Sequence, residues 1–345
     1  MTSFQTSCLR QHAVGAGMGT RTPTPEAREP KSRMSTNSIM PAYRLVPANH
    51  TIATPLCQLQ VPQTTKVVVV RGFMCYTIEK HSESVYSMEL SLKGIQTKIF
   101  KLRHERVFRG SETRLKYMYF PMDPKLPNAA NILLVGFQGC HDKEARYNYV
   151  RTCESLNVHR LFIKDDFAPN GRGSYYVGEK GTYSVERLVH TMVRNFMDRL
   201  QPDRVIFMGS SKGGYGAINC GIEFPNAIIV AGAPQYRLGT YLDKPANRPN
   251  LIDIIGEYTP ENIAALDVRL EQKIKSNPHA ATQTCYLHYS NVEHTYEKHI
   301  RAMREDILES GITLHEDIES YPEHGDVGKF FPAYLVKIVN SYMDK

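Results

Sequence analysis

The chain has 345 residues, of which 41% are hydrophobic and 22% are charged, and its formal net charge is +7. This composition is that of a globular protein with one large or two small domains, and it excludes a collagen-like or low-complexity chain. No run approaches the roughly 18 uninterrupted apolar residues of a membrane-spanning helix, so we expect no transmembrane segment.

Residues 1–45 hold most of the positive charge. They contain six basic and two acidic residues, so they carry +4 of the net charge, and the other 300 residues carry only +3. Because Thr, Pro, Gly and Ser dominate this segment, it has too little apolar surface to offset the entropy of ordering, and we predict a disordered basic tail. The rest of the chain is close to neutral, so no nucleic-acid partner is expected.

The seven cysteines are scattered and form no C-x-x-C pair. This spacing favours neither a disulfide framework nor a structural zinc site, so no metal is expected. The first 30 residues lack the apolar core of a secretory signal. These features together predict a cytoplasmic protein.

Short alternating segments in the N-terminal third predict antiparallel strands. These segments lie at residues 66–72, 85–92, 96–102 and 115–120.

From about residue 130, short apolar runs alternate with helical patterns. The predicted strands lie at residues 131–136, 159–164, 204–208, 227–231, 284–289 and 313–318. The predicted helices lie at about residues 143–156, 184–200, 213–223, 260–275, 294–309 and 328–343. This alternation predicts an α/β fold with a mostly parallel sheet, helices on both faces and antiparallel N-terminal strands. We expect residues 60–345 to form one domain, in which about 236–282 are a cap-like insertion.

The strongest chemical signal is G-x-S-x-G, formed by Gly209-Ser210-Ser211-Lys212-Gly213. An apolar strand leads into it and a helix rich in small residues follows, which is the context of a nucleophile elbow. Glycines at both ends remove Cβ atoms that would collide across the sharp turn. The alternative is a glycine-rich phosphate-binding turn, but Lys212 is not followed by the Ser or Thr of a P-loop. The pattern therefore predicts Ser211 as a nucleophile.

A serine nucleophile of this kind needs a histidine base and an acid, in the chain order serine, acid, histidine. His324 lies in a turn after the last predicted strand, and Glu293 follows the strand before it. We predict that His324 takes the proton of Ser211 and that Glu293 orients His324. Asp326 is the rival acid. The alternative is that His324 is only an exposed loop histidine and that Glu293 is a carboxylate that stabilises a helix N-terminus.

An oxyanion hole needs two N–H donors near the nucleophile. We expect one from the backbone of Lys212, directly after Ser211. The second is expected from Gln138 in the loop after the strand at 131–136, with Phe137 as the next choice. The alternative is that Phe137 packs in the core and the neighbouring glycines only form a turn.

Another polar loop follows the strand at 159–164. Ligands of open α/β sheets bind beyond the carboxyl ends of the strands. Asp166, Tyr175 and Tyr176 are therefore candidate substrate contacts, although a purely structural loop fits equally well.

Three stretches, GSSKGGYGA, YSNVEHTYEKHI and EHGDVGKFFPAYL, together resemble the XcbB/CpsF family of bacterial capsular polysaccharide biosynthesis proteins. That family is similar to the acyltransferase-like accessory Sec proteins within the α/β-hydrolase superfamily. The resemblance covers about residues 130–343. It implies an α/β-hydrolase-like domain, a site at Ser211, Glu293 and His324, and a setting in capsule or surface-glycan assembly.

Two classes of function fit these features. The first is a serine-dependent acyl-transfer enzyme, an esterase or an O-acetyltransferase that acts on a surface or capsular glycan or on a small ester. No cofactor is expected, with acetyl-CoA as the co-substrate of a transferase. The second is a non-catalytic binding or assembly protein of polysaccharide biosynthesis on a hydrolase scaffold.

Overall fold

The computed structural model describes residues 92–139 and 145–344. Over these residues eight strands form one sheet: β1 Glu105–Arg109, β2 Arg114–Phe120, β3 Ile132–Phe137, β4 His159–Lys164, β5 Arg204–Ser210, β6 Ile228–Gly232, β7 Thr284–Ser290 and β8 Thr313–Glu319. Their order across the sheet is β1-β2-β4-β3-β5-β6-β7-β8. The strands β3 to β8 pair in parallel, whereas β2 is antiparallel to both of its neighbours.

Helices cover both faces of this sheet. They are α1 Leu92–His104, α2 Ser184–Leu200, α3 Lys212–Gly221, α4 Leu238–Leu242, α5 Arg248–Ile255, α6 Pro260–Lys275, α7 Arg301–Ser310 and α8 Val327–Met343. Successive strand residues alternate between two cores, since a strand points its side chains to opposite faces. On β3, Leu133 and Val135 pack in the core that includes α2 and α3, while Leu134 packs in the core that includes α8. The predicted fold class, an α/β-hydrolase-like sheet with antiparallel strands at one end, is confirmed.

Two predicted elements are wrong. Residues 96–102 were expected as a strand but lie within α1. Their apolar residues at 99, 100 and 102 do not keep a strict two-residue period, and their Lys, Gln and Leu residues favour a helix. Residues 145–156 form turns and irregular chain instead of a helix. Tyr149 adopts a left-handed φ of 60°, which a continuing α-helix does not tolerate.

The loops that follow the parallel strands all lie at one edge of the sheet. The chain leaves β5 directly into α3, and the ends of β6, β7 and β8 lie alongside. Residues 236–282, between β6 and β7, contain α4, α5 and α6. Ligands of such sheets bind at this edge, so we expect a functional site among the polar side chains there.

Several sequence-based expectations fall on other parts of the chain. The predicted tail at 1–45 and the predicted strand at 66–72 lie outside the described residues, as does nearly all of the predicted strand at 85–92. Cys153, Cys220 and Cys285 are buried and unbonded. Between residues 92 and 344, leaving out 140–144, none of the helices combines the length and apolar character needed to cross a bilayer.

Candidate active site

Ser211 lies in the sharp turn between β5 and α3. Its backbone has φ 53° and ψ −122°, a conformation that residues other than glycine rarely adopt. A Cβ atom on Gly209 would lie 2.4 Å from the carbonyl oxygen of Gly213, and one on Gly213 would lie 2.4 Å from that of Phe137. The Ser211 N–H donates to the carbonyl of Gly232 at 2.7 Å. The two glycines therefore make possible the strained turn that presents Ser211.

The structure brings together the three residues predicted to act on one another. His324 Nε2 lies 2.9 Å from Ser211 Oγ, and His324 Nδ1 lies 3.2 Å from Glu293 Oε1. Ser211 follows β5, Glu293 follows β7, and His324 begins a short 3₁₀ turn after β8. Because parallel strands end at the same edge, three residues distant in sequence meet there. A hydroxyl bonded to an imidazole, which a carboxylate orients in turn, is the arrangement of an activated serine.

Glu293 is a fully buried carboxylate. The backbone N–H of Thr295 donates to Glu293 Oε2 at 3.2 Å, and the Thr295 hydroxyl donates to Oε1. Burial raises the pKa of the Glu293 carboxyl, but the hydrogen bonds from His324 and Thr295 outweigh it and hold that pKa below its ordinary value. The group is therefore ionised at neutral pH and can accept the Nδ1–H of His324.

Asp326, the rival acid, makes a different contact. Its carboxylate pairs with Lys329 at 2.6 Å, one turn along the chain. The Nδ1 atom of His324 faces Glu293 instead. The geometry thus places Glu293, and not Asp326, against the imidazole.

One of the two predicted oxyanion-hole donors has another partner in this structure. The Gln138 N–H, expected to face an oxyanion, donates to the hydroxyl of Tyr176 at 2.6 Å, and the next N–H, of Gly139, donates to Asn148 Oδ1 at 3.0 Å. Lys212 is the first residue of α3, where backbone N–H groups of a helix have no acceptor within the helix. The Lys212 N–H therefore lies at a helix N-terminus, whereas the Gln138 N–H is engaged within the protein.

Tyr175 and Tyr176, the candidate substrate contacts, are buried in this structure, and their contact with substrate stays a prediction. Their side chains are 4% and 1% exposed and belong to the core beside α2 and α3. Asp166 is partly exposed, but its carboxylate pairs with Lys116 at 2.5 Å and lies 3.7 Å from Lys164. The loop after β4 thus contributes buried side chains to the packing of the domain, although its position in the sequence places it at the carboxyl edge of the sheet.

A buried ion pair, formed by the residue that follows Ser211, was not predicted from the sequence. The side chains of Lys212 and Asp165 are both 0% exposed, and Lys212 Nζ lies 3.1 Å from Asp165 Oδ2. Lys212 Nζ also donates to the carbonyl of Arg172 at 2.9 Å. The Asp165 carboxylate accepts from the backbone N–H groups of Ser174 at 2.8 Å and Tyr176 at 3.3 Å. The pair therefore ties the start of α3 to the loop after β4.

A sequence signal for this pair existed. Lys212 opens a helix whose other residues are mostly small or apolar, and an ammonium group buried with such a helix is stabilised by a carboxylate partner. Asp165 directly follows an apolar strand.

Gln235 and His299 were also missed. Gln235 is fully buried in the loop after β6, and its Nε2 lies 3.1 Å from Ser211 Oγ. His299 Nδ1 accepts from the backbone N–H groups of Tyr236 at 3.2 Å and Arg237 at 3.3 Å. Burial, assisted by nearby positive groups, lowers the pKa of His299 to about 4, so its ring is neutral and can accept. No sequence motif marks either residue.

Known proteins resemble this chain in structure but not detectably in sequence. No protein-family model matches the sequence, and a comparison with curated protein sequences gives no match either. Solved structures do match. The capsule O-acetyltransferase of Neisseria meningitidis serogroup A aligns with a TM-score of 0.55 at 20% identity, over 68% of this chain and 94% of that chain. A single-residue variant of that enzyme in complex with CoA aligns with a TM-score of 0.54 at 18% identity, with the same coverage.

Two further structures extend the likeness. A glycosylation-associated protein complex (Gap123) of Streptococcus agalactiae has a TM-score of 0.55 at 17% identity, over 68% of this chain and 46% of that chain. Fluorophosphonate-binding serine hydrolase F of Staphylococcus aureus has a TM-score of 0.50 at 11% identity, over 68% of this chain and 97% of that chain. At these identities the likeness establishes the fold.

Removing either charge of the buried ion pair should destabilise the protein strongly. We expect Asp165→Asn and Lys212→Met each to lower the free energy of unfolding by about 3–5 kcal/mol, because each leaves its partner charged, buried and unpaired. The double variant should lose clearly less than the sum of the two. Denaturant unfolding of the full chain measures all three values.

The exposed pair of Glu112 and Arg187, whose side chains are 50% and 52% exposed, supplies the control. Glu112→Gln should cost less than about 1 kcal/mol. Strictly additive losses in the Asp165 and Lys212 double variant would show that the two charges are not coupled.

His299 should make stability depend on pH. Its pKa falls from 6.5 to about 4 on folding, so the unfolded chain binds the proton more readily. The stabilising contribution of neutral His299 is therefore complete above pH 6.5 and is lost as the pH falls toward 4. We expect the stability difference between the native protein and a His299→Gln variant, measured by denaturant unfolding, to shrink over this interval. Parallel pH curves for the two proteins would contradict the assignment.

Proposed function

We propose that this protein is a serine-dependent acyl-transfer enzyme, in which Ser211, His324 and Glu293 form the catalytic triad. The observation that carries the proposal is the unbroken line of contacts from the Glu293 carboxylate through the His324 imidazole to Ser211 Oγ. The substrate that fits best is a glycan hydroxyl of a capsule or cell surface, which becomes acylated. The likeness to a capsule O-acetyltransferase supports this choice, and so does the resemblance of the three sequence stretches to capsular polysaccharide biosynthesis proteins.

In the first half-reaction, Ser211 becomes acylated. His324 Nε2 takes the hydroxyl proton while Oγ bonds to the acyl carbon, and the carbonyl π electrons move to the carbonyl oxygen. The backbone N–H of Lys212, at the N-terminus of α3, stabilises that oxyanion. The intermediate then collapses, the bond to the leaving group breaks, and His324 returns the proton to that group. Glu293 stabilises the imidazolium that forms between the two proton transfers.

For Gln138 to supply the second oxyanion donor, its N–H must exchange one hydrogen bond for another. That N–H donates to the Tyr176 hydroxyl at 2.6 Å. The exchange places the developing negative charge against the amide in place of a neutral hydroxyl, and a charged acceptor makes the stronger hydrogen bond.

In the second half-reaction, His324 takes a proton from the acceptor hydroxyl as that oxygen attacks the acyl-enzyme. The ester bond to Ser211 breaks, and Oγ regains its proton from His324. Acetyl-CoA is the donor that we propose, with CoA as the thiol leaving group, because the capsule O-acetyltransferase of similar fold is known in complex with CoA. No group other than these two substrates is needed.

The same site with water as acceptor is an esterase, which is the form of the proposal supported by the likeness to a fluorophosphonate-binding serine hydrolase. The likeness to a glycosylation-associated protein complex supports a second candidate, a non-catalytic assembly protein. A buried, ionised Glu293 held against His324 favours the enzyme, since an assembly role has no need of such a carboxylate.

Replacing the nucleophile tests the proposal. Ser211→Ala should lower acyl transfer from acetyl-CoA by about 10³–10⁶-fold, because the nucleophilic oxygen is gone while the rest of the site remains. Mass spectrometry of a panel of acetylated and unacetylated glycans detects a gain of acetyl groups by a transferase and a loss by an esterase. A variant that folds normally and retains wild-type turnover would refute the mechanism.

The two rival acids make a matched pair of isosteric changes. Glu293→Gln should lower kcat by about 10²–10⁴-fold, because the imidazole loses its orienting acceptor and the imidazolium loses its stabilising charge. Asp326→Asn, which removes only the contact to Lys329, should leave kcat near the wild-type value. Steady-state kinetics with one ester substrate measures both variants. The reverse ranking would assign the acid to Asp326.

A further inference from the structure

Ser211 Oγ has a second nitrogen neighbour besides the histidine. The side-chain Nε2 of Gln235 lies 3.1 Å from it, while His324 Nε2 lies 2.9 Å from it. Gln235 is 0% exposed. A buried amide thus faces the oxygen atom that forms and breaks the bond to the acyl group.

The hydrogen-bond directions at Oγ follow from the chemistry of its neighbours. His324 donates from Nδ1 to Glu293, so its Nε2 accepts and the Ser211 hydroxyl donates to it. The amide nitrogen of Gln235 can only donate, so Oγ accepts from it. The opposite orientation of the amide would place Oε1 against Oγ, where it would draw the hydroxyl proton away from His324. The orientation with Nε2 toward Oγ therefore leaves the hydroxyl proton on the side of His324.

The backbone holds this amide in place. The Ala233 N–H donates to the carbonyl of His288 at 2.7 Å, and the N–H of Tyr236 donates to His299 at 3.2 Å. The Tyr236 hydroxyl donates to Asp306 at 2.5 Å. The loop is thus fixed on both sides of Gln235, so the side chain needs little reorganisation to act.

The other end of the amide indicates that packing alone did not select it. Gln235 Oε1 is buried and has no hydrogen-bond partner among residues 92–139 and 145–344. An unpaired buried carbonyl oxygen is unfavourable, and an apolar side chain of similar size would avoid it. Such a group in a native structure calls for another role.

We propose that Gln235 is a further catalytic residue, whose amide N–H stabilises the negative charge that develops on Ser211 Oγ. This inference rests on the proposed function. In acylation, the O–H bond of Ser211 breaks toward His324 as the bond from Oγ to the acyl carbon forms, and Oγ carries partial negative charge between the two. In deacylation the bond from Oγ to the acyl carbon breaks, and the electron pair returns to Oγ before His324 delivers the proton. Gln235 donates to Oγ at both moments.

Two substitutions in the full chain test this role. Gln235→Leu removes the donor, and we expect kcat for p-nitrophenyl acetate to fall by about 10–100-fold with little change in KM, somewhat less than the loss of an oxyanion-hole donor. Gln235→Glu keeps the size of the side chain. Its carboxylate would accept the Ser211 proton, whereas its protonated form would again donate. The ratio of its kcat to that of the wild type should therefore rise as the pH is lowered.

Gln283 provides the control. It is also buried, at 1% exposure, but its Nε2 donates to the backbone carbonyls of Gly221, Ile222 and Phe224. Gln283→Leu should lower the melting temperature and leave kcat and its pH profile unchanged.

The outcomes separate the inference from the proposed function. Wild-type kcat in Gln235→Leu, or a pH-independent activity ratio for the isosteric Gln235→Glu, would overturn the role of Gln235. Release of p-nitrophenol by Ser211→Ala as fast as by the wild type would instead overturn the proposed function, and the inference with it.

Discussion

The contact between Ser211 Oγ and His324 Nε2 joins residues 113 positions apart and depends on the whole sheet. It forms because β5, β7 and β8 run in parallel and end at one edge, where the chain turns sharply at Ser211 and places Glu293 and His324 alongside. A 2.9 Å hydrogen bond requires that these strand ends be fixed to a fraction of an ångström. The rigid core on both faces of the sheet supplies that precision.

The surroundings of this contact are unusually polar for a protein interior. The carboxylate of Glu293, the ion pair of Asp165 and Lys212, and the amide of Gln235 are all buried within one cluster of loops. Each of these charged groups has hydrogen-bond or ion-pair partners, which offset the cost of its burial. Buried, satisfied charges are stiff, because a small displacement breaks several hydrogen bonds at once. In the proposed enzyme this stiffness fixes the donors and acceptors around Ser211 before substrate binds.

The sequence was sufficient for the features that follow a regular pattern. Apolar runs predicted β3 to β8, and the glycines around Ser211 predicted the turn, because each constraint is local. The order of strands then favoured His324 as the base and left Glu293 and Asp326 as rival acids. Prediction from the sequence failed where tertiary contacts determine the local structure. The φ of Tyr149 breaks an expected helix, and the Gln138 N–H meets the hydroxyl of a buried Tyr176. Gln235, the other neighbour of Ser211, belongs to a loop with no sequence motif, so no local pattern predicted this contact.

The central claim is that Ser211 is a nucleophile activated by His324, and peptide mapping by mass spectrometry after reaction with a fluorophosphonate tests it most directly. The account predicts a covalent adduct on the Ser211 hydroxyl, absent from neighbouring Ser210 and formed far more slowly in a folded His324→Ala variant. An unmodified Ser211 in the folded protein, or an adduct that forms equally fast without His324, would contradict it.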